Sequence, residues 1–161
     1  MTLRSSKFGL LLCEGKEDVT VFNKIAEHAS IGGIEIRDFG GKDRLGSYLR
    51  MLSNSPDYVR GRISRILLTR DADEDPTAAI ESLSTAVEQH LGSKPESVGK
   101  WLRLSSGTEI ATWVAPGGNR PGMIESLCLG AAKNATPDTF DCLESYTDCL
   151  QQKHGIELNE K

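Results

Sequence analysis

The sequence predicts an α/β fold, in which helices pack on the faces of a mostly parallel central sheet. Two kinds of segment alternate along the chain. Short segments that are apolar or alternate between apolar and polar residues are typical of strands, and longer segments whose apolar residues recur every three or four positions are typical of helices. The length of 161 residues fits one domain with a substantial core. No apolar run approaches the ~18 residues of a membrane span. We therefore expect a cytoplasmic protein without a membrane partner.

Each element follows from a local pattern. The apolar run Phe8–Cys13 stops at a charge and indicates a buried strand. An amphipathic helix follows and ends at Gly32 and Gly33, and Pro76 suits the first turn of a later helix. Written as residue ranges, the predicted strands are 8–13, 34–39, 63–69, 101–104 and 110–115, and the predicted helices are 17–30, 42–53, 76–91, 123–132 and 138–152.

Charge and cysteine spacing exclude several kinds of protein. The net charge of −4 argues against a simple polyanion-binding surface, although the front half of the chain is basic and the back half acidic. The basic half could bind a phosphate backbone through one face, or each half could have its own solvated surface. The four cysteines form no CxxC pair, which excludes a zinc ribbon and a thioredoxin-type site. We expect Cys13, Cys128, Cys142 and Cys149 to be buried, reduced thiols.

Acidic side chains follow two predicted strands at the points where the strands end. Glu14 comes directly after the first strand, and Asp71 and Asp73 follow the third. The carboxyl ends of parallel strands meet at one edge of a sheet, and an extended chain would point Asp71 and Asp73 the same way. Converging carboxylates repel one another unless a cation joins them, and Mg²⁺ binds such groups together with phosphate oxygens. Alternatively, the acidic residues before Pro76 cap the helix that follows and offset its dipole.

These two acidic motifs carry a family resemblance. Leu-Cys-Glu-Gly-Lys-Glu-Asp at 12–18 and Leu-Thr-Arg-Asp-Ala-Asp-Glu-Asp at 68–75 resemble the signature motifs of the Toprim superfamily, a metal-binding domain of topoisomerases, primases, overcoming-lysogenisation-defect (OLD) nucleases and small maturation ribonucleases. Segments 40–45, 113–116 and 122–125 resemble a small stand-alone Toprim-like family related to the OLD-type nucleases. The resemblance implies a Rossmann-like Toprim fold with a central, mostly parallel four-stranded sheet flanked by helices on both faces. It also implies a single domain over residues 1–161, with a core of about 8–130 and a C-terminal helical extension of about 131–161.

The resemblance implies roles for four acidic residues. Glu14 matches a glutamate that serves as general acid or base and, in the nucleases, as a metal ligand. Asp71 and Asp73 match the pair that holds Mg²⁺ (or Mn²⁺), and Asp18 matches an acidic position that could reach a second metal. Apart from the resemblance, Glu125 follows the last loop and could either reach a metal or cap its own helix.

Basic residues near these motifs are candidates for binding nucleic-acid phosphates. Lys16 and Arg70 lie inside the two acidic motifs, and Lys16 is also a candidate catalytic residue, because it could offset phosphate charge in the transition state. Lys42 and Arg44 follow two glycines where a helix N-terminus could bind phosphate, although a turn with surface charges is equally consistent with the pattern. Arg120 lies in a loop rich in proline and glycine after the last strand.

Together these features predict a divalent-metal-dependent phosphodiesterase, a nuclease that acts on DNA or RNA. One alternative is a non-catalytic Toprim adaptor that binds nucleic acid or a partner ATPase or recombination subunit. Another is a metal-dependent phosphotransferase that acts on a small nucleotide. Topoisomerase and primase activity are not expected, because the chain has no room for a separate tyrosine-bearing domain and no zinc module. An exposed sheet edge or the apolar stripe of the last helix could support a homodimer.

Overall fold

The computed structural model describes residues 7–155 and confirms the α/β fold. Its strands are β1 (Phe8–Cys13), β2 (Ile34–Asp38), β3 (Ile63–Asp71), β4 (Leu102–Arg103) and β5 (Glu109–Ala115). Its helices are α1 (Lys16–His28), α2 (Leu45–Ser53), α3 (Pro56–Val59), α4 (Pro76–Leu91), α5 (Ile124–Ala135) and α6 (Pro137–His154), and a 3-10 turn at Lys42–Arg44 precedes α2.

The strands form one sheet in the order β2-β1-β3-β5-β4. Four of them run parallel, and β4 runs antiparallel to β5. The expectation of a four-stranded sheet is therefore wrong, because the described sheet has five strands. The fifth strand is β4, which corresponds to the predicted strand at 101–104, and the Leu104 amide donates to the Thr108 carbonyl at 2.9 Å to close the turn after it. That turn reverses the direction of the chain, so β4 and β5 are antiparallel and Leu102 pairs with Ile110 at the edge of the sheet.

The main core lies between one face of the sheet and the helices α2 and α4. Leu12, Leu68 and Ile110 come from three adjacent strands and are fully buried with Leu49 of α2 and Leu83 of α4. Burying a side chain of this size contributes about 1.5–3 kcal/mol. This layer therefore fixes the strands whose carboxyl ends carry the candidate site.

Helix α1 covers the opposite face of the sheet. Val114 of β5 belongs to the main core, so its neighbour Trp113 points to the other face. There the Trp113 ring meets Phe22 of α1 edge-on, with ring centroids 6.4 Å apart and planes at 80°. Helices therefore flank both faces of the sheet, as the sequence predicts.

One short helix departs from the sequence-based expectation. None of the predicted ranges includes α3, in which Pro56 stands in the first turn. A proline suits that position because the first helical amides have no partner inside the helix. The Ser55 hydroxyl caps α3 by accepting from the Tyr58 amide at 3.3 Å. No helix in the described part of the chain is long and apolar enough to cross a membrane.

The chain divides into two compact units after Ile124, earlier than the extension expected from about residue 131. The second unit consists, within the described residues, of α6 and most of α5. Its three cysteines, Cys128, Cys142 and Cys149, are exposed, and only Cys13 of the first unit is buried. The expectation of four buried thiols is therefore wrong for three of them. Both helices of this unit are exposed along most of their described length, so a cysteine there stays in contact with solvent.

Candidate functional site

The topology brings two acidic motifs to one edge of the sheet. Glu14 follows the last residue of β1, and Asp71 is the last residue of β3. These strands are parallel neighbours with Leu12 beside Leu68, so their carboxyl ends point the same way. The prediction that Glu14 and Asp71 share the carboxyl edge of the sheet is confirmed at the level of the fold.

Glu14 carries a buried carboxylate oxygen without a hydrogen-bond partner. Its Oε2 atom is shielded from solvent and accepts no hydrogen bond, while the side chain as a whole is 22% exposed. The cation nearest to Oε2 is the guanidinium of Arg70, whose Nε lies 3.9 Å away. A charged oxygen removed from water without a donor is costly. The fold therefore holds Glu14 in an arrangement that favours an added cation or proton donor.

Arg70 lies between the two acidic motifs. Its side chain is 9% exposed, and its Nη2 lies 3.8 Å from Oδ2 of Asp73, while its Nε makes the contact with Glu14. Two hydrogen bonds hold it: Nε donates to the Asp71 carbonyl at 3.3 Å, and Nη1 donates to the Ser82 hydroxyl at 3.2 Å. The sequence predicted Arg70 as a charge-neutralising residue, but nothing in the sequence indicated that Ser82 of α4 anchors it.

The two aspartates of the second motif have different backbone conformations. Asp71 is still in β3, and its Oδ1 accepts from the Ile124 amide at 3.0 Å. Asp73 has a φ of 51°, and its amide donates to the Gly122 carbonyl at 3.0 Å. The segment is thus not extended through Asp73, which removes the basis for expecting both side chains on one side. The chain bends where it leaves the sheet and pairs with Gly122 instead.

Asp18 closes the first turn of α1. It is buried, and its Oδ2 accepts from the Gly15 amide at 2.9 Å. An acidic side chain in this position satisfies a free amide at the start of the helix and offsets the helix dipole. The structure thus gives Asp18 a capping role, and its role at a second metal stays a prediction.

Cys13 lies directly before Glu14, but its thiol does not have the properties of a nucleophile. Burial, and then the nearby charges of Asp18 and Asp38, raise the pKa of the Cys13 thiol to about 12. Its Sγ donates to the Arg37 carbonyl at 3.5 Å. The thiolate is the reactive form of cysteine, so at neutral pH this residue stays an inert, buried thiol.

A cavity of about 590 Å³ opens beside Arg70, and we name it the acidic cavity. Lys42 and Arg70 supply its positive charges, and Asp73, Glu74 and Asp75 supply its negative charges. Asp75 also caps α4, because its Oδ1 accepts from the Ala78 amide at 2.9 Å. Part of the acidic motif is therefore structural, as the capping alternative proposed, while Lys42 faces the same space as Asp73.

The remaining predicted site residues lie apart from these contacts. Lys16 is the exposed first residue of α1, and Arg44 is exposed at the end of the 3-10 turn. Arg120 is exposed and lines a different cavity. Glu125 is an exposed residue in the first turn of α5 and belongs to the second unit. Their roles with metal or nucleic acid stay predictions.

The donor types of this edge fit a hard divalent cation, although the described residues do not form a complete cage. Among residues 7–155, no group of three or more His, Cys, Asp or Glu is arranged to hold a metal ion. Carboxylates are nevertheless the ligands that Mg²⁺ takes from proteins, often only one or two of them. The unpartnered Oε2 of Glu14 and the long contacts of Arg70 leave carboxylate oxygens available for such an ion.

One comparison with known proteins gives a match. The profile of a family described as "Protein of unknown function (DUF3226)" matches residues 9–161, which is nearly the whole chain. No curated protein matches the chain, and no solved structure matches it.

Proposed function

This chain belongs to the DUF3226 family, and from its acidic edge we propose that it is a divalent-metal-dependent phosphodiesterase, a cytoplasmic nuclease of Toprim type that cleaves DNA or RNA. The observation that carries the proposal is the Glu14 carboxylate. Its Oε2 is buried without a hydrogen-bond donor at the carboxyl ends of two parallel strands. Open α/β sheets bind their ligands at this edge.

The residues would divide the work as follows. Glu14, Asp71 and Asp73 would hold Mg²⁺ or Mn²⁺, which when bound supplies charge neutralisation for the phosphodiester. Lys42 shares the acidic cavity with Asp73 and would bind a phosphate oxygen. Glu14 Oε2, which has no donor of its own, is suited to accept a proton from an attacking water.

The proposal is tested by removing charge from each aspartate without removing its shape. Asp71→Asn keeps an oxygen that can accept from the Ile124 amide, so the start of α5 keeps its contact. Asp73→Asn removes only the charge near Arg70. The matched control is Glu74→Gln, because Glu74 is an exposed carboxylate that lines the same cavity. Cleavage of plasmid, single-stranded DNA and structured RNA is measured with Mg²⁺, with Mn²⁺ and with chelator.

We expect metal-dependent cleavage by the wild type and the Glu74→Gln protein, and a loss of about a hundredfold or more in each aspartate variant. Full activity in either aspartate variant would rule out the assignment of the metal ligands. Absence of cleavage by folded wild-type protein on all substrates would rule out the nuclease proposal.

A second candidate is a non-catalytic adaptor that binds nucleic acid or a partner protein such as an ATPase. The observation in its favour is Arg70, which already places one positive charge between Glu14 and Asp73. An arginine in that position can compensate the carboxylates without any metal. The cleavage assay separates the two candidates, because an adaptor that keeps its acidic residues would bind nucleic acid or a partner in a metal-dependent way without cutting any polymer.

A further inference from the structure

A second cavity, of about 500 Å³, lies on the other side of the first turn of α4. We propose that this cavity, which we name the apolar cavity, binds one nucleobase of an unpaired nucleotide, so that the substrate is single-stranded or locally unpaired nucleic acid. The inference rests on the proposed nucleic-acid substrate and names the form of that substrate.

The walls of the apolar cavity differ in chemistry from those of the acidic cavity. Pro76 and Ile80 come from the first turns of α4, Val114 from β5 and Val98 from the segment before β4. Ligand pockets of a few hundred Å³ with mainly apolar walls are typical of sites that enclose a flat organic group. A phosphate group would not gain from such walls, whereas a nucleobase would.

An aromatic ring beneath a glycine loop lines one side of this cavity. Gly117 has a φ of 91°, and a Cβ placed there would lie 3.5 Å from Nε1 of Trp113. The loop therefore passes close to the edge of the indole, and Phe22 contacts the same indole from α1. These two contacts hold the ring in place beside the cavity, and stacking on an aromatic ring is a sequence-tolerant way to bind a base.

Polar groups line the same cavity near the glycine loop. Asn119 offers an amide, which can donate to and accept from the edge of a base. The Nε atom of Arg120 donates to the Gly117 carbonyl at 3.3 Å. Within residues 7–155 no carboxylate lies within 4.0 Å of Arg120, so its charge is available to a phosphate. The cavity thus combines apolar walls with one positive charge, which matches a nucleotide.

The two cavities are joined through consecutive residues of the chain. Asp75 lines the acidic cavity, and Pro76 lines the apolar cavity. A strand whose phosphate lies beside Asp73 would therefore bring an adjacent base to the second cavity. A base inside a duplex is stacked and paired and cannot enter a side pocket without being flipped out. The geometry therefore favours a nucleotide that is already unpaired.

The test measures binding in chelator, so that it does not depend on cleavage. The probes are a fluorescein-labelled strand of twelve thymidines, its ribose counterpart, and the same strands with abasic sites. The cavity is filled by Val98→Phe, and the matched control is Val59→Phe, an identical substitution at an exposed site on α3. Circular dichroism establishes that both variants are folded.

We expect the wild type and Val59→Phe to bind an intact strand about tenfold more tightly than its abasic form. Val98→Phe should bind both forms with the same, weaker affinity. Equal binding of intact and abasic strands by the wild type would overturn the proposal, and so would unchanged preference in folded Val98→Phe. If Val98→Phe does not fold, Asn119→Ala takes its place, because Asn119 is an exposed residue that lines the same cavity, and a preference unchanged in that variant would overturn the proposal.

The outcomes also separate this inference from the nuclease proposal. Preference for intact strands without metal-dependent cleavage would support the apolar cavity and reject the nuclease. Metal-dependent cleavage without that preference would support the nuclease and reject the binding of a base in the apolar cavity.

Discussion

The two ends of the parallel strands contain the same kinds of residue but pair them differently. At the amino end, Arg65 Nε donates to Oε2 of Glu109 at 2.9 Å, and the guanidinium lies 5.4 Å from the centroid of the Trp101 ring. At the carboxyl end, Arg70 lies 3.8 and 3.9 Å from its two carboxylates, beyond hydrogen-bond distance. We call the amino end closed, because its arginine and its carboxylate are hydrogen-bonded to each other. We call the carboxyl end open, because Arg70 is hydrogen-bonded to neither of its two carboxylates.

The difference indicates what each end is for. Each charge of a hydrogen-bonded ion pair on an exposed surface already has a partner, although Arg65 and Glu109 also line a cavity of about 400 Å³ at this end. A buried, charged oxygen that has only long contacts lowers the stability of the protein without its ligand. A ligand that contacts this oxygen directly can recover that free energy. The carboxyl end therefore has the properties of a binding site, whereas the described contacts of the amino end are structural. Four substitutions test this contrast, from the largest expected effect to the smallest.

Glu14→Gln should have the largest effect on activity. It removes the buried charge and keeps the size of the side chain, so the fold should be retained. We expect metal-dependent cleavage to fall by about a hundredfold or more, with a melting temperature no lower than that of the wild type. Activity assays and thermal unfolding on the same preparations check this. A clearly lower melting temperature with full activity would show that Glu14 is structural.

Arg70→Met should have the largest effect on stability. It leaves Glu14 and Asp73 without their shared cation and removes the hydrogen bond to Ser82. Because the contacts are long and Asp73 is about half exposed, we expect a loss of about 2 kcal/mol of unfolding free energy in chelator. Mg²⁺ should restore more stability to this variant than to the wild type. Urea unfolding with and without Mg²⁺ measures both, and equal Mg²⁺ effects would contradict the open-site interpretation.

Asp18→Ala separates capping from metal binding. Loss of the acceptor for the Gly15 amide should lower the unfolding free energy by about 1 kcal/mol. Cleavage should stay within a few fold of the wild-type rate. If activity vanishes while urea unfolding is unchanged, Asp18 is a metal ligand and its capping contact is secondary.

Glu109→Gln should have the smallest effect, because it changes the closed end. The Arg65 side chain is more than half exposed, so breaking this pair should lower stability by about 0.5 kcal/mol. Cleavage and the response to Mg²⁺ should not change. A change in either would mean that the amino end also takes part in function.

The sequence predicted the elements with strong local signals. Helix α4 begins at Pro76 and ends at Leu91 as expected, because proline suits its first turn and Gly92 adopts the left-handed conformation that ends it. The apolar run of β1 and the acidic residue after it also lie as predicted. These features depend on neighbours in the chain, which the sequence shows directly.

Features that depend on distant contacts could not be predicted in this way. The bend at Asp73 depends on pairing with Gly122, and the position of Arg70 depends on Ser82 of α4. Likewise, no local pattern distinguishes the exposed Cys142 from the buried Cys13, because exposure depends on which layers cover a helix. The acidic motifs could be located from the sequence, but their pairing could not.

The strand order also determines when the site can form as the chain is made. The Thr69 hydroxyl of β3 donates to the Leu12 carbonyl of β1, and these residues are 57 positions apart in the chain. The central pair of strands therefore cannot form until β3 has been synthesised. A ribosome adds about 5–20 residues per second, so β1 is exposed for roughly 3–11 s before Thr69 has been made. Pairing over such separations is also slow. The acidic edge is therefore assembled late, and during synthesis its carboxylates are solvated rather than forced together.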